Sequence, residues 1–252
     1  AVKDPEAKDG YTLLTGNQTG VLLLDYICSQ RIKHGAMPPD PVMIKSIVTT
    51  DLAAQVAESY GVRTVNVLTG FKFIGEQILK MEKLGKADSF IFGFEESYGY
   101  LSGAYVRDKD GVDAALLICE MFCCYASRGI SLTERLAQIY EKHGYCHNSV
   151  HSHTFEGAAG FERMKGIMNS LRRGVAAVAG REIIKTVDFA DGPDGLPPAD
   201  VLKFVFDGGS VIVRPSGTEP KLKAYITVSA SDRKAADAAA EDILRDIIVY
   251  FK

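Results

Sequence analysis

The 252-residue chain contains 46% hydrophobic and 24% charged residues, enough apolar side chains for one large or two ordinary soluble domains. Its 29 basic and 32 acidic residues give a formal net charge of −3. With no basic excess to neutralise phosphates, the chain is not expected to be a general nucleic-acid-binding protein. No apolar stretch approaches the roughly 20 residues of a membrane-spanning helix, so no membrane partner is predicted.

The five cysteines, at positions 28, 119, 123, 124 and 146, do not make a disulfide scaffold. Free thiols are typical of a reducing compartment, which predicts a cytoplasmic protein. Cys119 and Cys123 lie one helical turn apart in an apolar run, which predicts that both thiols are buried. The chain starts at Ala1 rather than at a methionine, as expected of a processed or truncated polypeptide.

Helix and strand patterns alternate through the first half of the chain. Asn17 is the predicted N-cap of the first helix, and Asp51 and Gly61 are the predicted ends of the second. The predicted elements are helix 17–34, strand 42–50, helix 51–61, strand 62–70, helix 72–84, strand 88–97 and helices near 110–128 and 131–143. This β-α-β-α-β order predicts an α/β sandwich with a mixed or mostly parallel sheet.

The segment "GYCHNSVHSH" (144–153) has no periodicity and is predicted to be a linker, with the domains at 1–150 and 151–252. The second half then has the patterns of one helix, four short strands and a long amphipathic helix. The predicted elements are helix 156–172, strands 182–189, 201–206, 210–214 and 222–229, and a capped helix to the C-terminus. This order predicts a smaller α+β domain with an antiparallel sheet.

The stretch "VIVRPSGTEPKLKAYITV" places an unusual set of donors in a turn between two strands. The backbone amides and hydroxyls around Ser216, Gly217 and Thr218 can surround an anion. Arg214 adds a planar fork for phosphate oxygens, and either Lys221 or Lys223 adds a point charge. The stretch therefore predicts a phosphate pocket, and the alternative is an ordinary hairpin with solvated charges.

Two further motifs follow predicted strands. In "GFEESYGY" (93–100), Glu95, Glu96 and Ser97 lie where α/β sheets receive ligands. The adjacent carboxylates cannot share one face of a strand, so at least one points toward a loop or cleft, and a carboxylate is suited to two vicinal sugar hydroxyls. In "LTGFKFIGEQI" (68–78), Thr69 and Gly70 lie at a helix N-terminus, which favours anions, and Lys72 adds charge. A solvated turn and a plain strand–helix turn are the respective alternatives.

Together the three motifs resemble, in order and spacing, the α-D-phosphohexomutases, the phosphoglucomutase/phosphomannomutase family. "GFEESYGY" is most similar to the subgroup of phosphopentomutase-like and bacterial phosphoglucomutases. The resemblance implies that Arg214, Ser216, Gly217 and Thr218, with a following lysine, hold the non-reacting phosphate of a sugar phosphate. It also implies that Glu95 and Ser97 contact the ring hydroxyls, and that the chain contains the third and fourth of the family's four domains.

Two other family motifs are missing from the chain. Its Ser-His pair, in "HSHTF" (151–155), lacks the following Asn-Pro of the family's phosphoserine motif, and "DFADGPDG" (188–195) does not have the D-x-D-x-D spacing of its metal loop. The stretch "DKDGVD" (108–113) is predicted to start a helix. No catalytic residue or metal ligand is therefore predicted here, and this half alone is expected to be inactive.

For the full-length enzyme the resemblance implies Mg²⁺, a glucose 1,6-bisphosphate-type activator and the missing N-terminal domains as partners. A free-standing regulatory domain that senses a phosphosugar is one alternative. Another is a metal-binding or redox module, whose candidate ligands are His143, Cys146, His147, His151 and His153.

Overall fold

The computed structural model describes residues 1–251. The chain divides into two compact units, residues 1–143 and residues 144–252. The predicted domain boundary at residue 150 lies inside a strand of the second unit. Within the described residues, no helix combines the length and apolar character needed to cross a bilayer.

The first unit is a four-stranded sheet with five helices. Its strands are ordered β4-β3-β5-β6, where β3 pairs in parallel with β4 and β5, and β6 pairs antiparallel with β5. This mixed α/β sheet confirms the predicted fold class. The elements are β1 (Val2–Lys3), β2 (Tyr11–Thr12), α1 (Gly16–Lys33), β3 (Val42–Ser46), α2 (Leu52–Ser59), β4 (Arg63–Val67), α3 (Phe71–Lys83), β5 (Phe90–Glu95), β6 (Gly99–Leu101), α4 (Gly111–Ala126) and α5 (Leu132–His143).

The N-cap of α1 differs from the prediction. Thr15, not Asn17, is the N-cap, and it forms a capping box with Gln18. Asn17 instead uses its side-chain oxygen to accept from the backbone N–H of Thr50, after β3. The prediction was wrong because both residue types are good N-caps, and only the tertiary partner distinguishes them.

A buried charge connects four helices of the first unit. Asp25 lies in the buried middle of α1 with 4% of its surface exposed. Arg135 of α5 donates to both carboxylate oxygens, from Nε at 2.9 Å and from Nη2 at 2.8 Å. The hydroxyls of Tyr60, just after α2, and Tyr125 of α4 donate to it at 2.8 and 3.1 Å. Burial and this carboxylate raise the pKa of both tyrosines, so both remain donors.

The second unit is a five-stranded antiparallel sheet, ordered β10-β11-β12-β13-β7, with two long helices. The side chains of both helices and of one sheet face form a single apolar core. This architecture confirms the predicted α+β class. The elements are β7 (Tyr145–Thr154), α6 (Gly157–Arg172), β8 (Ala177–Val178), β9 (Arg181–Glu182), β10 (Lys185–Asp188), β11 (Leu202–Phe206), β12 (Gly209–Pro215), β13 (Lys221–Ala230) and α7 (Arg233–Phe251).

The predicted linker at 144–153 is wrong, because nearly all of it forms the edge strand β7. All ten residues of β7 pair with β13, from Tyr145 opposite Ala230 to Thr154 opposite Lys221. The segment has few apolar residues, since an edge strand needs only backbone pairing on one side. Its pairing partner lies far away in sequence, so no local pattern could reveal the strand.

The predicted burial of Cys119 and Cys123 is also wrong, since both thiols are exposed on α4. Helix α4 has apolar residues on both its exposed and its buried face. The buried face contains Ala114, Met121 and Tyr125, and the two thiols lie on the exposed face. The two truly buried thiols are Cys28 and Cys146. Burial raises the pKa of the Cys28 thiol to about 12, so very little reactive thiolate forms there near neutral pH.

Thiol reactivity should therefore follow exposure. We expect iodoacetamide at neutral pH to modify Cys119 and Cys123 of the folded chain at least tenfold faster than Cys28 and Cys146, as measured by peptide mass spectrometry. In denaturant all five cysteines should react at similar rates, which is the control. Comparable rates in the folded chain would contradict the observed burial.

The Asp25 network should be important for stability. We expect Asp25→Asn to lower the free energy of unfolding by about 3 kcal/mol, because it leaves Arg135 partly buried without a counter-charge. Urea unfolding measures the change. Glu76→Gln is the matched control, since it removes an exposed α3 ion pair with Lys80 and should cost less than about 0.5 kcal/mol. Equal losses for the two variants would contradict the assigned role.

Candidate functional site

Two of the predicted motifs meet at one edge of the first sheet. The strands β3, β4 and β5 run parallel, so their carboxyl ends and the loops that follow them lie at this edge. Thr69 and Gly70 connect β4 to α3, and Glu95 is the last residue of β5. The backbone N–H of Gly70 donates to Glu95 Oε1 at 2.7 Å. Residues that are 25 positions apart therefore share one hydrogen bond.

The Glu95 carboxylate is held in place with one oxygen available. The residue is buried, and Gly70 is its only hydrogen-bond partner within the described part of the chain. No fully buried side-chain oxygen or nitrogen in residues 1–251 lacks a partner, so Oε2 keeps some solvent-accessible surface. Gly70 itself has φ 122° and ψ 122°, a conformation that favours glycine.

Within the described part of the chain, the side chains of Glu96, Ser97 and Lys72 form no hydrogen bond with the Glu95 carboxylate. Glu96 accepts a long hydrogen bond from Thr49 Oγ1, at 3.5 Å, in the loop after β3. Ser97 is exposed in the turn between β5 and β6, and no described residue hydrogen-bonds its hydroxyl. Lys72 is exposed in the first turn of α3 with Nζ 5.0 Å from the Phe73 ring centroid. No described contact brings Lys72 to Glu95.

The β5–β6 turn is in close contact with the start of α1. A Cβ atom on Gly16 would lie 1.9 Å from the backbone oxygen of Glu96, so only glycine fits there. The hydroxyl of Tyr100 donates to the Gly16 carbonyl oxygen at 2.9 Å. Neither residue was predicted to belong to the site, because a glycine at the start of a helix does not indicate a contact with a distant part of the chain.

One cation at this edge was also missed. The side chain of Lys109 runs past β6, with Cδ 3.3 Å from where a Gly99 Cβ would lie, and its Nζ is 5.8 Å from the Phe71 ring centroid. The backbone N–H of Asp110 donates to the backbone carbonyl oxygen of Tyr100 at 2.9 Å, which fixes the segment around Lys109 against β6. The stretch 108–113 does start a helix as predicted. A helix start in the sequence does not indicate which strand its flanking lysine will lie against, so the position of Lys109 could not be predicted.

The third motif is the hairpin between β12 and β13 in the second unit. Arg214 lies directly opposite Lys223 in the ladder, and directly opposed side chains share a face of the sheet. Lys221 is two positions from Lys223 and lies on the same face. Three cations are thus placed together at the loop end of one sheet face. Neither Arg214 nor Lys223 forms a salt bridge within the described residues, although the charge of Lys223 helps to lower the pKa of the Glu219 carboxyl in the adjoining loop.

The loop itself is rich in unused donors. The Ser216 N–H donates to the Lys221 oxygen at 2.7 Å and closes the turn. The amides of Gly217 and Thr218 and the hydroxyls of Ser216 and Thr218 have no acceptor in the described part of the chain. Lys221 Nζ donates to Glu219 Oε1 at 2.7 Å, which holds the pKa of that carboxyl below its usual range.

The candidate metal ligands of the histidine-rich segment do not converge in the described part of the chain. His147 and His151 lie on one face of β7, while Cys146 is on the other face. His147 Nδ1 is 2.7 Å from Asp237 Oδ1, and the ring of His153 packs against Phe155. Among the described residues, no three His, Cys, Asp or Glu side chains are close enough together to hold a metal ion.

The close approach at Gly16 can be tested directly. We expect Gly16→Ala to lower the free energy of unfolding by about 2 kcal/mol, because the added methyl group overlaps the Glu96 backbone. Chemical denaturation measures this change. Gly111→Ala is the matched control, since Gly111 also begins a helix but has open space around its Cβ position, and its effect should stay within about 0.5 kcal/mol. Similar effects of the two substitutions would show that the β5–β6 turn can move to accommodate a Cβ atom at Gly16.

Comparison with known proteins agrees with the resemblance seen in the motifs. The model of the phosphoglucomutase/phosphomannomutase alpha/beta/alpha domain III matches residues 15–143, and that of the C-terminal domain matches residues 163–245. The phosphoglucomutase of Staphylococcus epidermidis is 35% identical over 240 residues, which cover 90% of this chain and 43% of the relative. The chain thus spans less than half the length of this curated relative.

Solved structures share the fold at low identity. The Paramecium phosphoglucomutase pp63/parafusin, in its open form, has a TM-score of 0.66 at 19% identity, over 96% of this chain and 43% of that one. A variant N-acetylphosphoglucosamine mutase of Aspergillus fumigatus, in complex with glucose 1,6-bisphosphate, has a TM-score of 0.50 at 13% identity, over 95% and 44% of the two chains. Because the domain III match alone spans more than half of its residues, the chain belongs to the phosphoglucomutase/phosphomannomutase family.

Proposed function

We propose that this chain is the sugar- and phosphate-binding part of a phosphosugar mutase. The full-length enzyme would interconvert hexose 1-phosphate and 6-phosphate, or the corresponding pentose 1- and 5-phosphates. The observation that carries the proposal is the pair Arg214 and Lys223, two cations that lie directly opposite one another in the ladder and form no salt bridge within the described residues. Family membership supports a phosphorylated sugar as the anion that they bind.

The phosphate-binding role rests on electrostatics. Like charges directly opposite one another destabilise a sheet, so this pair costs free energy while no anion is present. A phosphate dianion between them would convert the repulsion into two attractions. The amides and hydroxyls of Ser216, Gly217 and Thr218 supply further donors, and Lys221 can turn from Glu219 to the ligand. This loop would hold the phosphate that is not reacting.

The hydroxyl-reading role belongs to the edge of the first sheet. Glu95 is anchored through Oε1 by Gly70, so Oε2 can accept from a sugar hydroxyl with little loss of side-chain entropy. Ser97 offers a hydroxyl that can donate or accept. Thr69, Gly70 and Lys72 surround the N-terminus of α3, which favours the negative charge of the substrate.

The reaction would proceed through two phosphoryl transfers. An enzyme phosphoserine donates its phosphoryl group to the free hydroxyl of the sugar phosphate, which gives a bisphosphate and an unmodified serine. The bisphosphate reorients, and the serine takes the other phosphoryl group back. The residues of this chain would bind and orient the sugar in both orientations, since catalysis of phosphoryl transfer depends mainly on positioning and charge.

The phosphoserine and the Mg²⁺ that supplies charge stabilisation would come from the N-terminal domains. This chain contains neither the D-x-D-x-D loop nor the Ser-His-Asn-Pro motif, and it is proposed to be inactive alone. The complex of the A. fumigatus mutase with glucose 1,6-bisphosphate supports that ligand as the intermediate and activator to test here.

The proposal predicts a phosphate site that depends on Arg214. We expect Arg214→Ala to weaken the binding of glucose 1-phosphate and of glucose 1,6-bisphosphate at least tenfold, as measured by isothermal titration calorimetry. The same substitution should leave the free energy of unfolding unchanged or slightly higher, because it removes the repulsion with Lys223. Weaker binding without a loss of stability distinguishes an anion site from a structural arginine.

Arg233→Ala is the matched control, because Arg233 lies in the same unit and its side chain is 81% exposed on α7. It should change neither affinity by more than about twofold. Retention of full affinity by Arg214→Ala would contradict the phosphate role of the loop. A wild-type chain that binds neither ligand would contradict the proposed function itself.

A further inference from the structure

The turn that presents Ser97 contains a backbone conformation that is unfavourable for its residue. Glu96, Ser97 and Tyr98 form the three-residue connection between β5 and β6. The last position of such a turn is normally left-handed and normally glycine. Here it is Tyr98, with φ 65°. A bulky residue held in this region indicates that its side chain makes an offsetting interaction.

The side chain of Tyr98 does make such an interaction. Its hydroxyl donates to the backbone oxygen of Leu14 at 3.1 Å, across 84 positions of sequence. Tyr100 makes the equivalent bond to Gly16, and Gly16 lies against the Glu96 carbonyl. The turn is therefore attached on both sides to the segment that precedes and begins α1. Of the two tyrosines, Tyr100 is buried, whereas Tyr98 is 60% exposed.

Ser97 depends on this attachment more than Glu95 does. Glu95 has its own anchor, the Gly70 N–H. Ser97 is exposed, and no described residue hydrogen-bonds its hydroxyl, so only the turn backbone sets its position. The residue that fixes that backbone on the β6 side is Tyr98. A looser turn would let Ser97 sample many orientations, and a ligand would lose affinity by having to order it.

We propose that Tyr98 is a positioning residue for sugar recognition, which tethers the turn to Leu14 and thereby pre-orients Ser97 toward the ring hydroxyls. The inference rests on the proposed function and adds a residue to it. It assigns Tyr98 to hydroxyl recognition and not to phosphate binding. Ligands that carry the sugar ring should therefore depend on Tyr98, and inorganic phosphate should not.

Two substitutions separate the tether from the backbone conformation. Tyr98→Phe keeps the ring and removes the hydroxyl, whereas Tyr98→Gly also relieves the left-handed strain. We expect both variants to bind glucose 1-phosphate about three- to tenfold more weakly by calorimetry and inorganic phosphate equally well. The Tm of Tyr98→Gly should be equal to or above that of the wild type, which a merely structural tyrosine would not produce.

Tyr11→Phe is the control, because Tyr11 is an exposed tyrosine of the same unit and should change neither affinity. Unchanged glucose 1-phosphate binding by Tyr98→Phe would overturn this inference and leave the proposed function intact. Equal losses for glucose 1-phosphate and inorganic phosphate would also overturn it, since they would indicate general damage. A wild-type chain that binds phosphate but gains nothing from the sugar ring would overturn hydroxyl recognition and this inference together.

Discussion

A buried carboxylate needs hydrogen-bond donors in place of the water that it has lost, and Asp25 is such a carboxylate in the first unit. Its helix α1 is buried along its middle, so the partners must come from other elements. They are Arg135, Tyr60 and Tyr125, from α5, the end of α2 and α4. One charge thereby fixes the position of α1 among its neighbours. Gly16, at the start of the same helix, lies against the turn that carries the candidate sugar-reading residues.

The same requirement distinguishes structural charges from candidate ligand-binding charges. Asp25 is fully compensated by donors within its own unit, so it has no capacity left for a ligand. Arg214 and Lys223 differ, because they lie opposite one another in β12 and β13 and neither forms a salt bridge within the described residues. Asp25 therefore contributes to stability, whereas Arg214 and Lys223 are the charges that we propose to bind the phosphate. This contrast separates two sets of charged residues that look alike in the sequence.

The candidate hydroxyl-reading edge depends on close backbone approach as well as on charge. The Glu95 carboxylate is held by a main-chain N–H, and the turn beside it contacts a helix start that tolerates no Cβ atom. Main-chain groups cannot change rotamer, so they hold the site more precisely than long side chains do. The left-handed Tyr98 is consistent with strain that is retained where a binding surface has to be pre-organised.

Local periodicity in the sequence was sufficient to predict most helices, most strands and both fold classes. It also predicted the loops that carry the candidate site residues, because helix, strand and turn signals each extend over only a few neighbouring positions. Only the tertiary structure decided which distant groups are paired and which side chains are buried. Examples are the pairing of 145–154 as β7, the hydrogen bond from Gly70 to Glu95 and the exposure of Cys119. Each depends on residues far apart in the chain, brought together by backbone pairing and burial. A local pattern contains no information about which distant group will satisfy a donor, an acceptor or a charge, and this is the physical reason for the division.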